Sequence, residues 1–189
     1  MAATLLPMHP RLTELRDHVD GQRSALLAAA SPLPPERWTV RPAAGGWSIV
    51  ELFEHLYKVE HSCARVIEKA AREARAAGHP AETDASSVLG SLAALGLRDR
   101  STKREVPERV APAGGWTPAE ALEKLAASRA ELHEAIRAAN GLALGTVYQT
   151  HARFGELNLY KWILFVGEHE ARHAQQAAEI AEQVGAVSR

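Results

Sequence analysis

Two helix starts with matching caps constrain the fold of this chain more than any other feature of its sequence. Ser48 stands three residues before Glu51, and Thr117 stands three residues before Glu120. In such a capping box each side chain satisfies a backbone N–H of the other residue at the first turn of a helix. Each box opens a stretch of apolar residues at helical spacing. The sequence therefore predicts long helices that begin at these two points.

The same apolar spacing predicts four long helices in the 189 residues. Val, Ile and Thr together supply only 25 residues, whereas Ala and Leu are abundant, which favours helix over sheet. Chains of this length form one domain with a substantial core. We therefore predict an all-α four-helix bundle in a single domain, residues 1–189. The helices are expected at about 11–30, 48–77 and 117–140, and from 156–160 to 184.

The connection between the second and third helices is unusually long. It covers residues 78–116, and a connection of this size can run the length of a bundle. The second and third helices would then be parallel, giving an up-down-down-up arrangement. Within the connection, Ser86 to Leu97 has the composition of a short additional helix.

Composition and charge exclude several classes of protein. Basic and acidic residues nearly cancel, at 22 and 23, so no overall field favours nucleic acid or an anionic membrane. The single cysteine, Cys63, excludes an intramolecular disulfide framework and a zinc site built from several thiolates. No stretch reaches the ~20 apolar residues that cross a bilayer, and Met1–Arg11 has no run typical of a signal peptide. A cytoplasmic location is expected.

Three of the nine histidines fall on inward helix faces. At 100° per residue, His169 and His173 lie one turn apart on the apolar stripe of the fourth helix, and His55 lies on that of the second. Rings at i and i+4 can both reach one ion, and a divalent metal would satisfy imidazoles that are costly to bury alone. Ordinary core histidines with hydrogen-bond partners remain the alternative. The fourth-helix stripe also contains Asn158, Trp162, Phe165, Val166, Gln176 and Ile180.

The other histidines and the charged residues of the fourth helix carry weaker signals. His151 precedes that helix and could approach a site at the bundle end. Surface or loop positions are expected for the remaining five: His9, His18, His61, His79 and His133. Four charged residues lie off the apolar stripe or at its edge, where they can meet water: Glu168, Glu170, Arg172 and Glu179.

The segment His169-Glu170-Ala171-Arg172-His173 matches H-E-x-x-H, the zinc protease motif in which the glutamate is the general base. That motif needs a third ligand downstream, and no histidine follows His173. The helical direction of Glu170 also turns its side chain away from the metal face. A protease is therefore not the favoured interpretation, and His55 is the best upstream candidate for a third ligand.

Taken together, the motifs resemble those of the DinB-like superfamily of metal-binding four-helix bundles. The resemblance is carried by the block from Trp47 to Leu56, by His151 to Leu157, and by His169 to Gln176 with its H-x-x-R-H-x-x-Q pattern. Residues Arg104 to Pro112 and Arg129 are similar to the family's middle portion. One departure is Ala152, where relatives often have proline after the histidine.

This resemblance implies one divalent ion, zinc or nickel, on His55, His169 and His173, with water in the open positions. Gln176, Asn158, Trp162 and Trp47 are expected in or beside the substrate pocket. Superfamily members include bacillithiol-dependent thiol S-transferases, mycothiol-dependent isomerases and proteins assigned as hydrolases. The implied function is a metal-dependent transferase or hydrolase acting on a small molecule, with a low-molecular-weight thiol as a possible cosubstrate.

Two other interpretations stay open at this point. One is a non-catalytic metal-binding or stress-response module, and the other is a bundle in which the histidines bind no metal. Bundles of this type often pair, so a homodimer is expected. Neither nucleic acid nor a membrane is expected as a partner.

Overall fold

The computed structural model of the protein describes residues 7–101 and 105–186. Arg104, which begins the central block of the resemblance, and most of the segment Met1–Arg11 lie outside these residues. Four long helices dominate, and the prediction of a four-helix bundle is confirmed. They are α1 (Pro10–Ala30), α2 (Ile49–Ala76), α3 (Pro118–Ala138) and α4 (Leu159–Ala186).

Both predicted capping boxes form. The Ser48 hydroxyl accepts from the Glu51 backbone N–H at 3.2 Å, and the Glu51 carboxylate accepts from the Ser48 N–H at 2.9 Å. Thr117 and Glu120 make the same reciprocal pair at 3.2 and 2.7 Å. Since each box satisfies backbone donors that a helix start leaves open, it fixes where α2 and α3 begin.

Helices α2 and α3 run in the same direction. Glu60 of α2 bonds to Arg129 of α3, and Arg75, fifteen residues further along α2, bonds to the carbonyl of Ala138, nine residues further along α3. Residue numbers therefore increase together along the pair. Helices α1 and α4 are parallel by the same test, since His18 lies 3.2 Å from Glu168, and Ala30 at the end of α1 belongs to the same core cluster as Val184 near the end of α4. The up-down-down-up prediction is confirmed.

The long connection between α2 and α3 is tied to the bundle along its length. Leu92 and Leu97 are buried in the core, and between them the expected short helix is only a single 3-10 turn, Ala93–Leu95. Near its end, the backbone N–H groups of Ala113 and Gly114 donate to the Glu54 carboxylate, each at 2.9 Å. The chain is thereby returned to the starting end of α2.

A small antiparallel hairpin precedes α4, which the all-α prediction did not include. Its strands are β1 (Tyr148–His151) and β2 (Gly155–Asn158), paired from Tyr148 opposite Asn158 to His151 opposite Gly155. Gly155 has φ +70°, a conformation that favours glycine. The run Thr146-Val147-Tyr148-Gln149-Thr150 is rich in strand-forming residues and was the available signal.

Charged residues divide the apolar core into two clusters. One cluster contains the first half of α1 and the second half of α2, and the other contains the remaining halves. At the division each helix contributes one buried charged residue; the four are Arg23, Glu60, Arg129 and Glu170. Among the described residues, each helix is too short or too polar for a bilayer-spanning segment.

Candidate metal centre

The three inward histidines lie close together. They are next to a charged layer, which consists of Arg23, Glu60, Arg129 and Glu170. His55 lies on the second turn of α2 and is 4% exposed, while His169 and His173 lie on successive turns of α4. The Nε2 atom of His169 is 3.3 Å from that of His55 and 3.2 Å from that of His173. Residues separated by more than a hundred positions in the sequence thus present three ring nitrogens to one point, as the helix faces predicted.

Hydrogen bonds at the opposite ring nitrogens define the tautomers of two rings. Nδ1 of His55 lies 2.8 Å from the carbonyl oxygen of Val110, and Nδ1 of His173 lies 2.8 Å from Oε1 of Gln176. Both partners are oxygen acceptors, so in each ring Nδ1 is the N–H donor and Nε2 carries the lone pair. Partners of this kind orient metal-bound histidines in proteins.

The Nε2 lone pairs of His55 and His173 need a common electron-pair acceptor. Only His169 can offer a proton at Nε2, and one proton cannot satisfy two facing lone pairs in good geometry. Three ligands at 2.0–2.1 Å around a tetrahedral ion lie about 3.3–3.4 Å from one another. The observed 3.2 and 3.3 Å match that spacing. The three-histidine group could therefore hold a metal ion.

The surroundings keep the three rings neutral. Burial lowers the pKa of His55, and burial together with the positive charge of neighbouring groups lowers the pKa of His169 well below its usual value. Burial also lowers the pKa of His173 to about 3. Because metals bind the neutral imidazole, this environment favours a ligand-ready state at pH 7.

The lowered pKa values make the metal-free protein sensitive to acid. Below the ordinary pKa of 6.5, the unfolded chain binds a proton at His173, while the folded chain does so only when the pH approaches about 3. The contribution of His173 to stability is thus complete above pH 6.5 and falls as the pH drops below it, by about 1–2 kcal/mol between pH 7 and pH 5. The lowered pKa values of His55 and His169 act in the same direction. Urea unfolding of chelator-treated protein at both pH values measures this loss. A His173→Leu variant should lose less, and equal losses in both proteins would contradict the argument.

A cavity of about 860 Å³ opens over the histidines, a size typical of small-molecule sites. Trp47 and Trp162 line it as expected, and the Trp47 ring lies 5.0 Å from that of His55 between centroids. Gln176 lines it too. Asn158 does not: its side chain accepts from the Lys161 N–H at 3.0 Å and caps the start of α4. Asn158 thus lies outside the cavity lining, because the helix start uses its polar atoms.

The structure corrects the surface position expected for Glu170. This residue is 1% exposed, and its two carboxylate oxygens accept from Arg23 at 2.7 Å and from Arg129 at 2.8 Å. The predicted direction away from the metal face is correct, but the side chain faces the charged layer rather than water. With its oxygens bound to two arginines, Glu170 is not placed to act as the general base of a protease.

The remaining histidines lie outside the cavity lining, with one exception. His151 lines the cavity, with its ring 4.9 Å from that of Phe165. His18 was expected at the surface but is largely buried against Gly167, where an added Cβ would lie 2.7 Å from the His18 ring. The other four stay apart from the site: His9, His61, His79 and His133.

Sequence reasoning missed the contributions of the long connection. Its turn Glu108–Val110 supplies the carbonyl that holds His55, and it brings Arg109 to the cavity. Backbone carbonyls leave no signal in a sequence. The similarity of Arg104 to Pro112 to the family's middle portion was the available indication that this segment matters.

Comparison with known proteins agrees with the fold and the histidine pattern. The sequence profile of the DinB superfamily matches residues 18–177, which include all three histidines. The chain belongs to the DinB superfamily. Among known proteins, the uncharacterized protein YuaE of Bacillus subtilis (strain 168) is similar to this chain, with 28% identity over 153 residues, which are 80% of this chain and 88% of YuaE.

A solved structure has the same four-helix-bundle fold. The crystal structure of TT2238, a four-helix bundle protein, superposes with a TM-score of 0.56 at 24% identity. The match covers 87% of this chain and 95% of TT2238. At this identity the likeness concerns the fold alone.

Proposed function

We propose that this protein is a metal-dependent enzyme acting on a small molecule, of the thiol S-transferase or hydrolase type. Its ion would be held by His55, His169 and His173. The observation that carries the proposal is the convergence of three Nε2 atoms on the wall of an open cavity. A purely structural site would be closed by a fourth protein ligand, whereas a catalytic site keeps positions open.

Zinc is the proposed ion, with nickel as the competitor. Three neutral imidazoles suit either metal, and the two Nε2 distances from His169, 3.3 Å to His55 and 3.2 Å to His173, are compatible with tetrahedral zinc. When bound, such an ion supplies a Lewis acid and lowers the pKa of a coordinated water or thiol. The protein itself contributes oriented rings, through Val110 and Gln176, and a cavity walled by Trp47 and Trp162.

The proposal is tested by metal content, open coordination and activity measured on the same preparation. The full chain should bind one zinc or nickel ion, and its cobalt form should gain a thiolate charge-transfer band when a small thiol is added. A screen of cellular thiols with electrophiles, alongside simple esters, should then reveal turnover that a chelator removes. A cobalt spectrum that no thiol or anion changes, together with no turnover, would overturn the enzyme proposal in favour of a non-catalytic metal-binding module.

Gln176 provides a test of the ligand arrangement. Replacing Gln176 with leucine removes the acceptor that orients His173, so zinc affinity should fall about 10–100-fold. Gln175→Leu is the matched control, because the neighbouring amide is exposed on the same helix. Competition with a chromophoric chelator measures both affinities. Equal affinities in the two variants would show that the Gln176 contact does not support metal binding.

A further inference from the structure

The cavity over the histidines is strongly cationic, although the protein as a whole is not. Among the residues that the structure describes, four arginines and a single glutamate line it, whereas the formal net charge of the chain is −1. The five residues are Arg100, Glu105, Arg109, Arg153 and Arg172. A concentration of one sign of charge in a cleft attracts ligands of the opposite sign.

Two of these arginines already have protein partners for their guanidinium groups. Arg100 forms an ion pair with Glu179, and Arg172 donates to the backbone carbonyls of Leu97 and Asp99. Both side chains hold the connection against α4. They add positive charge to the cavity, but their terminal guanidinium nitrogens already have protein partners.

Arg109 and Arg153 differ from that pair. Among the described residues, no carboxylate forms an ion pair with either guanidinium, and Arg153 is held in place by the backbone carbonyl of Glu105 at 2.7 Å. Both arginines line the same cavity as His151, and Arg153 follows His151 by two residues in the chain. Burial lowers the pKa of His151, and the charges of Arg109 and Arg153 lower it further. In the part of the chain that the structure describes, two guanidinium groups without a carboxylate partner thus line one cavity.

His151 adds a neutral donor to the same cavity. Its Nδ1 accepts from the backbone N–H groups of Arg153 and Phe154, at 3.1 and 3.3 Å. Nε2 therefore carries the proton, and this N–H has no partner among the described residues. The ring packs on Phe165, which in turn stacks on His169 at 5.4 Å between centroids. One aromatic ring separates this group from the candidate metal centre.

We propose that Arg109, Arg153 and His151 form a subsite for the anionic group of the substrate, a carboxylate or a phosphate carried on an apolar body. The inference rests on the proposed function, since it takes the same cavity as the substrate site. Guanidinium groups bind planar oxyanions through paired, charge-assisted hydrogen bonds. The apolar body would lie along Phe165 and Trp162, which brings the other end of the molecule to His169.

The test compares probes of the same shape and different charge on the zinc-loaded full chain. The probes are 4-phenylbutyrate, its neutral amide, and phenyl phosphate, with affinities measured by isothermal titration calorimetry. The carboxylate should bind about tenfold or more tightly than the amide, as expected for charge-assisted hydrogen bonds. Comparison with phenyl phosphate decides which anionic group the subsite prefers. Equal binding of 4-phenylbutyrate and its amide, with no binding of phenyl phosphate, would overturn the proposal.

Substitutions show which residues cause the preference for the anionic probe over the neutral amide. Arg109→Gln and Arg153→Gln should each remove most of it while zinc content stays at the wild-type value, whereas Arg16→Gln, an exposed arginine of α1, should leave it unchanged. Metal-free protein separates this proposal from the metal proposal. Anion preference that survives zinc removal and depends on the two arginines supports the subsite, even where zinc binding itself fails. If the anion preference requires zinc and is unchanged in both arginine variants, the anion binds the metal itself. That result would overturn the proposed subsite.

Discussion

Arg129→Met is expected to lower the free energy of unfolding by about 3–5 kcal/mol, since it removes one of the two guanidinium groups that neutralise a pair of buried carboxylates. Arg129 binds Glu60 at 2.7 Å and Glu170 at 2.8 Å, and both carboxylates are 1% exposed. Arg23 binds the same two carboxylates from the other side. Without Arg129, two negative charges would share one guanidinium in the interior. Urea unfolding monitored by circular dichroism measures the loss.

Arg137→Met is the matched control on the same helix. Arg137 pairs with Glu134 three residues earlier, and both side chains are largely exposed to solvent. Removing an exposed pair of this kind costs about 0.5 kcal/mol or less. Similar losses in the two variants would show that the buried charges contribute no more than surface charges do.

The charged layer also explains how the candidate site is oriented. Each of the four residues comes from a different helix, so the network forms only when all four helices have the correct rotation. Glu170 follows His169 directly, and its contacts with Arg23 and Arg129 hold that face of α4 inward. His169 and Glu170 are about 100° apart around the helix, so the adjacent part of the same inward side presents His169 and His173 to His55. A network of charges that constrains rotation in this way can be kept for specificity of packing as well as for stability.

The sequence was sufficient for the helices because their signals are local. Capping boxes and apolar spacing act within a few residues, and they predicted the starts of α2 and α3 to the residue. The histidine cluster followed from the same logic, because a helix face is fixed by 100° steps and two faces of one bundle must meet. The long connection also implied parallel α2 and α3, which the contacts of Glu60 and Arg75 confirm.

Features that depend on distant partners were not predicted. The face of Glu170 was correct, but periodicity cannot show that Arg23 and Arg129 lie across from it, so the residue was expected near water. Asn158 lay on the correct stripe, yet its position at the helix start directed its amide to backbone groups. The hairpin at Tyr148 is too short for alternation to stand out, since each strand has four residues.

His55→Ala is expected to abolish zinc binding at micromolar metal, and so is His169→Ala. Losing an orienting partner alone costs about 10–100-fold in affinity, so losing a ligand should cost more than about 100-fold. His61→Ala is the control, because His61 is a further α2 histidine that pairs with Glu131 away from the cavity. Zinc content after dialysis and the zinc-dependent rise in melting temperature measure the effect. Wild-type protein and His61→Ala should show that rise, because an ion that binds only the folded state stabilises it.

The His55→Ala variant distinguishes a metal site on α4 alone from one shared by α2 and α4. His169 and His173 lie on one helix and form a ligand pair without any help from the tertiary fold. A site built on that pair alone would keep its zinc when His55 is replaced and lose it when His169 is replaced. Loss in both variants, with the metal-free proteins still folded by circular dichroism, requires α2 and α4 to supply ligands together. The ion would then join two helices of the bundle and stabilise their contact along with any chemistry that it supports.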